Sequence, residues 1–308
     1  MLEARGTARS RVALVVKKKC RTAVIPIVVF AVVPNLGAFD GDRGGRDQTE
    51  PDYSFTPVSL TTNPLWLVPA RTAQFGLGFD IHAQWQAPIS GLQGTLYRLA
   101  IVRAEVGIAS NVVLQIRGPV RQILAIDETS SQPLPGMPAS GTTSDAGDFS
   151  VATIMRLYEN RSKTAALGFH VETRLPNSTQ RKGIGTNTTD IFMSVLASGK
   201  WRNGMIFGDL GMGILTAPLE VNVQNDVLLY GLGTILIVRE QLRLFGEING
   251  YLTTRNIIPV GTEARGMARA GLAWQCSSWG VETSVQHGLT RNEGKWGGSV
   301  GVTRKISW

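Results

Sequence analysis

The stretch AQFGLGFDIHAQW, residues Ala73–Trp85, decides the fold class. Its odd positions read Ala73, Phe75, Leu77, Phe79, Ile81, Ala83 and Trp85, and its even positions read Gln74, Gly76, Gly78, Asp80, His82 and Gln84. An apolar residue at every second place is the period of a β-strand, whose side chains point alternately to opposite faces. A helix gathers its apolar residues at every third or fourth place, so this run does not fit one.

The same alternation recurs along the chain. From Thr164 to Leu175, Ala165, Leu167, Phe169, Val171 and Leu175 alternate with His170, Glu172 and Arg174. From Leu242 to Leu252, Leu242, Leu244, Ile248 and Leu252 alternate with Arg243, Glu247 and Asn249. Extended over the sequence, this pattern predicts about twelve strands. They fall near 72–86, 98–109, 112–118, 148–158, 164–175, 189–197, 204–214, 226–238, 241–252, 263–275, 279–290 and 296–308. Most have the roughly 9–11 residues that a tilted strand needs to cross a bilayer. The links alternate between short (Ser110-Asn111, Glu159 to Lys163, Ser198 to Asn203, Arg239-Glu240, Cys276 to Ser278) and longer (87–97, 119–147, 176–188, 215–225, 253–262, 291–295). One-sided long loops and an even strand count predict an all-β fold. It is an antiparallel transmembrane up-and-down β-barrel, with short periplasmic turns and longer extracellular loops.

Composition agrees with this class. The 308 residues are 43% hydrophobic and 18% charged, with a mean hydropathy of +0.03. That is too polar for a helical membrane protein, whereas in a barrel only alternate residues touch lipid. The net charge of +8 is misleading as a pointer to partners. Arg5, Arg9, Arg11, Lys17, Lys18, Lys19 and Arg21 face a single acid, Glu3, within residues 1–38. The excess is therefore a targeting feature, and nucleic acid is not expected as a partner. Lys17 to Lys19, the apolar run Ala23 to Val33 and the small residues before Phe39 form the three parts of a secretory signal peptide over 1–38. Residues 39–70 show no sustained period and are expected as a periplasmic N-terminal segment, with the barrel over 71–308. Cleavage leaves only Cys276, which excludes an internal disulfide and a cysteine-based metal site.

Trp85, Trp274, Trp279, Trp296 and Trp308 fall near predicted strand ends, where an interfacial aromatic girdle sits. The last strand reads Gly298, Val300, Val302, Arg304, Ile306 and Trp308 at alternate places. It resembles the C-terminal signature of outer-membrane proteins of Gram-negative bacteria, whose assembly machinery recognises a final strand ending in an aromatic residue. That resemblance makes Val300, Val302, Ile306 and Trp308 the assembly signal. It implies the barrel-assembly machinery, outer-membrane lipid and lipopolysaccharide as partners, and the outer membrane as the location. Arg304 breaks the apolar row, but near the periplasmic end a long side chain snorkels to the interface. Alternation alone does not say whether the apolar face looks inward or outward, so a soluble barrel or sandwich is the rival fold. Long strands, one-sided loops and the terminal aromatic favour outward.

No catalytic constellation is legible. None of His82, His170 and His287 has a serine two residues away on its own strand face, and Ser284 faces opposite to His287. The histidines lack metal-ligand spacing, and no cofactor motif appears. With the apolar face on lipid, Asp80, His82, His170, Glu172, Arg174, Asp209, Arg243, Glu247, Asn249, Arg265, Arg269 and Glu282 point into the lumen. Such charges either line a path for a small solute or pair with one another and fill the interior.

Residues 148–308 resemble a family of outer-membrane transporters associated with a phenol-degradation (MetA-type) pathway. The carrying residues are Asp148-Phe149-Ser150, then Leu167-Gly168-Phe169 running to Leu175-Pro176, then Gly183-Ile184-Gly185-Thr186 leading to Thr189-Asp190. The resemblance implies a barrel and transport of small, hydrophobic or aromatic compounds, and it carries over no catalytic residue. The long 119–147 link departs from that family. A passive channel is therefore expected, and not an enzyme. The alternatives are a non-conducting structural or adhesive barrel acting through its extracellular loops and, further off, an outer-membrane lipid hydrolase.

Overall fold

A computed structural model describes residues 54–129, 136–138 and 140–308. Its strands are β1 Thr72–Gln86, β2 Gln93–Ala109, β3 Val112–Glu128, β4 Gly141–Asp145, β5 Ser150–Glu159, β6 Ala165–Arg174 and β7 Asp190–Trp201. The remainder are β8 Gly204–Thr216, β9 Gln224–Ile237, β10 Leu242–Thr253, β11 Arg265–Cys276, β12 Trp279–Gly288 and β13 Trp296–Ser307. Each of the barrel strands pairs antiparallel with its neighbours, and β1 pairs with β13 from Thr72↔Ser307 to Ala83↔Trp296. That last ladder closes a barrel of twelve strands, with β4 as an extra strand outside the ring. Closure gives each spanning strand a partner on both sides, which is how a barrel avoids an open edge in the bilayer. The links after β2, β5, β7, β9 and β11 are tight and lie at the end that holds Thr72 and Ser307. The longer links lie at the far end.

The apolar face looks outward. On β6, Ala166, Gly168, His170 and Glu172 are buried while Ala165 and Leu167 are exposed. On β12, Gly280, Glu282, Ser284 and Gln286 are buried while Val281, Thr283 and Val285 are exposed. Large apolar side chains such as Phe75, Leu77, Leu210, Leu232, Ile248 and Val300 stand free on the outside. A soluble core has the opposite polarity, so the soluble rival is excluded.

The structure corrects the sequence reading in three places. First, β3 runs ten residues past 118, and the 119–147 link contains β4. Below Arg117, β3 pairs with β5, and above Gln122 it pairs with β4. Pro119 sits in the gap between these two ladders, where its missing N–H costs no bond on that side. Second, Trp85 is not part of the girdle. Gln84 adopts a left-handed φ of 54°, and the β1–β2 register slips between His82 and Trp85. The bulge turns Trp85 inward, against Leu92, Leu96, Leu124 and Ile184. Trp274, Trp279, Trp296 and Trp308 do stand on the exterior, and the Arg304 guanidinium lies 4.9 Å from the centre of the Trp279 ring.

Third, the stretch expected as a periplasmic segment lies, from Ser54 onward, within the barrel. Phe55, Leu60 and Trp66 are buried against Met205, Phe207, Ile235, Phe245 and Ala273, and Leu65 against Ile154, Ala166 and Leu196. Val58 and Phe55 seat against Gly76 and Gly280, wall positions where a Cβ would collide with them. The chain then leaves the lumen at the near end, where Arg71 donates its N–H to the Gly107 carbonyl at 3.1 Å. The proposed signal peptide and residues 39–53 lie outside the described residues.

Candidate functional site

The inner wall holds the segment inside the barrel, residues 54–70 (the plug), chiefly by its main chain. Glu282 accepts the N–H groups of Val58 and Ser59 at 2.6 and 2.8 Å. Glu247 accepts those of Thr61 and Thr62, each at 3.0 Å. The plug carbonyls are taken by arginines: Ser59 by Arg269, Leu60 by Arg103 and Thr61 by Arg117. Asn63 receives Arg103 and Gln115 on its side-chain oxygen at 2.9 and 3.1 Å. A peptide segment without secondary structure carries unpaired donors and acceptors, and buried unpaired groups are costly. The charged wall supplies the partners that a strand or helix would otherwise provide.

Above the plug is a chamber of about 410 Å³. Val58–Asn63 form its floor, and Trp85, Pro88 and Ile184–Thr186 line it toward the far-end loops. Those loops are tied together: Ser90 donates to the Gly183 carbonyl at 2.7 Å, and Thr179 donates to Asp145. Of the inward residues expected from the sequence, Asp80, His170, Glu172, Arg174, Asp209, Asn249, Arg265, Arg269 and Glu282 border this chamber. His82 lies beside it, bonded to Arg98 and 3.3 Å from Asp80. Glu247 sits lower, under the plug and paired with Arg269. The Arg243 guanidinium lies nearer the Thr72 end of the barrel, 5.4 Å from the centre of the Phe55 ring.

The charges are organised as pairs, within a strand or between strands and links of the ring. Arg98 donates to Asp80 at 3.0 Å, and Arg117 to Glu172 at 3.1 Å with His170 beside it at 3.5 Å. Arg174 pairs with Asp190, and Arg265 with Glu293 at 3.2 Å. Arg103 meets Glu105 at 2.7 Å. Sequence reasoning did not place Arg98, Arg103, Glu105, Arg117, Asp190 and Glu293 among the inward residues. The signal was present for the second strand, where Arg103 and Glu105 alternate with Val102, Ala104 and Val106. His287 takes no part in the interior; on the outer face its ring centre lies 4.4 Å from that of Trp296. Among the described residues, no group of three or more His, Cys, Asp or Glu side chains is arranged to hold a metal ion.

No protein-family model matches the chain, and no curated protein matches it in sequence. Among solved structures, the chain is similar to an outer membrane channel from Pseudomonas putida F1. The TM-score is 0.56 at 13% identity, covering 78% of this chain and 97% of that one. A more distant likeness, with a TM-score of 0.47 at 11% identity, is to the translocator domain of the autotransporter NalP from Neisseria meningitidis, over 78% and 90% of the two chains. The architecture of this chain is thus that of an outer-membrane β-barrel.

Proposed function

We propose that the protein is an outer-membrane channel for the passive passage of small molecules, kept closed by its own residues 54–70. The observation that carries this reading is the chamber lined by that plug and by far-end loop residues, inside a barrel with a lipid-facing exterior. The inward residues from Asp80 to Glu282 line the path of the solute. The resemblance to transporters of a phenol-degradation pathway supports small hydrophobic or aromatic compounds as cargo. Residues 1–38 act as a cleavable signal for export from the cytoplasm of a Gram-negative cell. Val300, Val302, Ile306 and Trp308 then present the last strand to the assembly machinery, and lipid and lipopolysaccharide surround the finished barrel.

Single-channel recording in planar bilayers tests the channel. Full-length protein should show rare openings, and a Glu247→Ala, Glu282→Ala variant, which lacks both carboxylates that hold the plug, should open more often. Silence from both proteins, each shown to be folded by heat-modifiable migration, would sink the channel reading.

A further inference from the structure

The pairing of charges in the chamber hides an asymmetry. The side chains of Arg98, Arg117, Arg174 and Arg265 remain 19–27% exposed, and they border the chamber. Their carboxylate partners are only 1–15% exposed. The guanidinium groups are thus more exposed than the carboxylates they pair with, although Asp80, Glu172 and Glu293 border the chamber beside them. Asp209 is a further acid on this wall. It sits low, beside Gly231, which in turn packs on Thr62 of the plug.

One corner concentrates the effect. The Arg174 guanidinium lies 5.7 Å from the centre of the Phe192 ring, and Phe192 packs against the cluster of Leu215, Val227 and Tyr251. Arg265 is the register partner of Tyr251 across the β10–β11 ladder. Each of two aromatic side chains bordering the chamber, Phe192 and Tyr251, therefore has an arginine beside it. Nearby buried atoms without a partner in the protein include Arg174 Nε and Asn249 Nδ2, both donors. Guanidinium groups suit carboxylates because their donors form a planar fork, and the aromatic surface suits a flat apolar body.

Building on the channel reading, we propose that this corner is a binding subsite for small aromatic carboxylates, with Arg174 and Arg265 receiving the carboxylate and Phe192 and Tyr251 the ring. The test is calorimetric titration of the full-length protein in detergent with benzoate, benzyl alcohol and benzylamine. Benzoate should bind at least about tenfold more tightly than the other two. Arg174→Gln and Arg265→Gln should each weaken benzoate by about tenfold while leaving benzyl alcohol within about twofold. Benzoate binding no tighter than benzyl alcohol, or as tight in both folded variants, overturns the subsite. If the variants fail to fold, the ranking of the three ligands on the unaltered protein still decides. Conductance without benzoate preference refutes the subsite alone. Benzoate binding without conductance refutes the channel alone.

Discussion

Glu282 shows what a single side chain contributes here. Its two oxygens take the N–H groups of Val58 and Ser59 in a buried setting. Replacing it with alanine orphans both donors, at a cost on the order of 1–3 kcal/mol each. The Glu282→Ala protein should therefore be cut within residues 54–70 by a protease that spares the parent, and Glu282→Gln, which keeps one acceptor oxygen, should fall between the two. Gly280→Val acts on the same segment by shape. Its added carbons meet the Phe55 ring, and such overpacking typically costs about 1–3 kcal/mol. The expected result is faster cleavage of the plug with little change in barrel melting. Neither effect was legible from residues 54–70, because the wall addresses their main chain and main-chain partners leave no periodic signature. The partners themselves were legible, since Glu247 and Glu282 were placed on the inward face by alternation alone.

At the scale of elements, the first strand was read to its ends because its alternation is unbroken, while β3 was not. Gly118-Pro119 interrupts the pattern, and Ile123-Leu124 puts two apolar residues side by side. The strand survives because the ladder there changes partner from β5 to β4. β4 thereby covers an edge that would otherwise be open. A Thr142→Pro, Thr143→Pro variant removes the N–H that β4 offers to β3 at this level. Hydrogen exchange should then reveal lost protection over residues 122–126, with residues 112–117 unchanged. The inward turn of Trp85 has the same kind of origin. A bulge reverses the parity of all that follows it in a strand, and nothing in the alternation of Ala73–Trp85 announces one.

For the whole molecule the decisive property is its inverted polarity, with charge inside and hydrocarbon outside. Leu210 stands on the outer face near the middle of β8. Leu210→Arg should lower stability in lipid vesicles by about 2–4 kcal/mol, while Leu236→Arg, near the end of β9, should cost about 0–1 kcal/mol. Denaturant titration of vesicle-embedded protein measures both, and equal costs would contradict the outward placement of that face. The location was legible in the sequence because lipid selects residue types. The interior arrangement was not, because pairs such as Arg117–Glu172 depend on which strands meet in the ring, here β3 and β6 on either side of β5.

The plug also orders the assembly of the molecule in time. The contact of Val58 with Glu282 joins positions 224 residues apart, and the plug precedes the strand that closes on β13. Its seats are spread over strands from both halves of the chain, so they exist together only when the ring is nearly complete. Contacts this distant in sequence form slowly. Refolding into vesicles should therefore show two phases, in which the migration shift of a closed barrel comes first and protease resistance of residues 54–70 follows. The newborn barrel passes through a period in which its lumen is unstoppered.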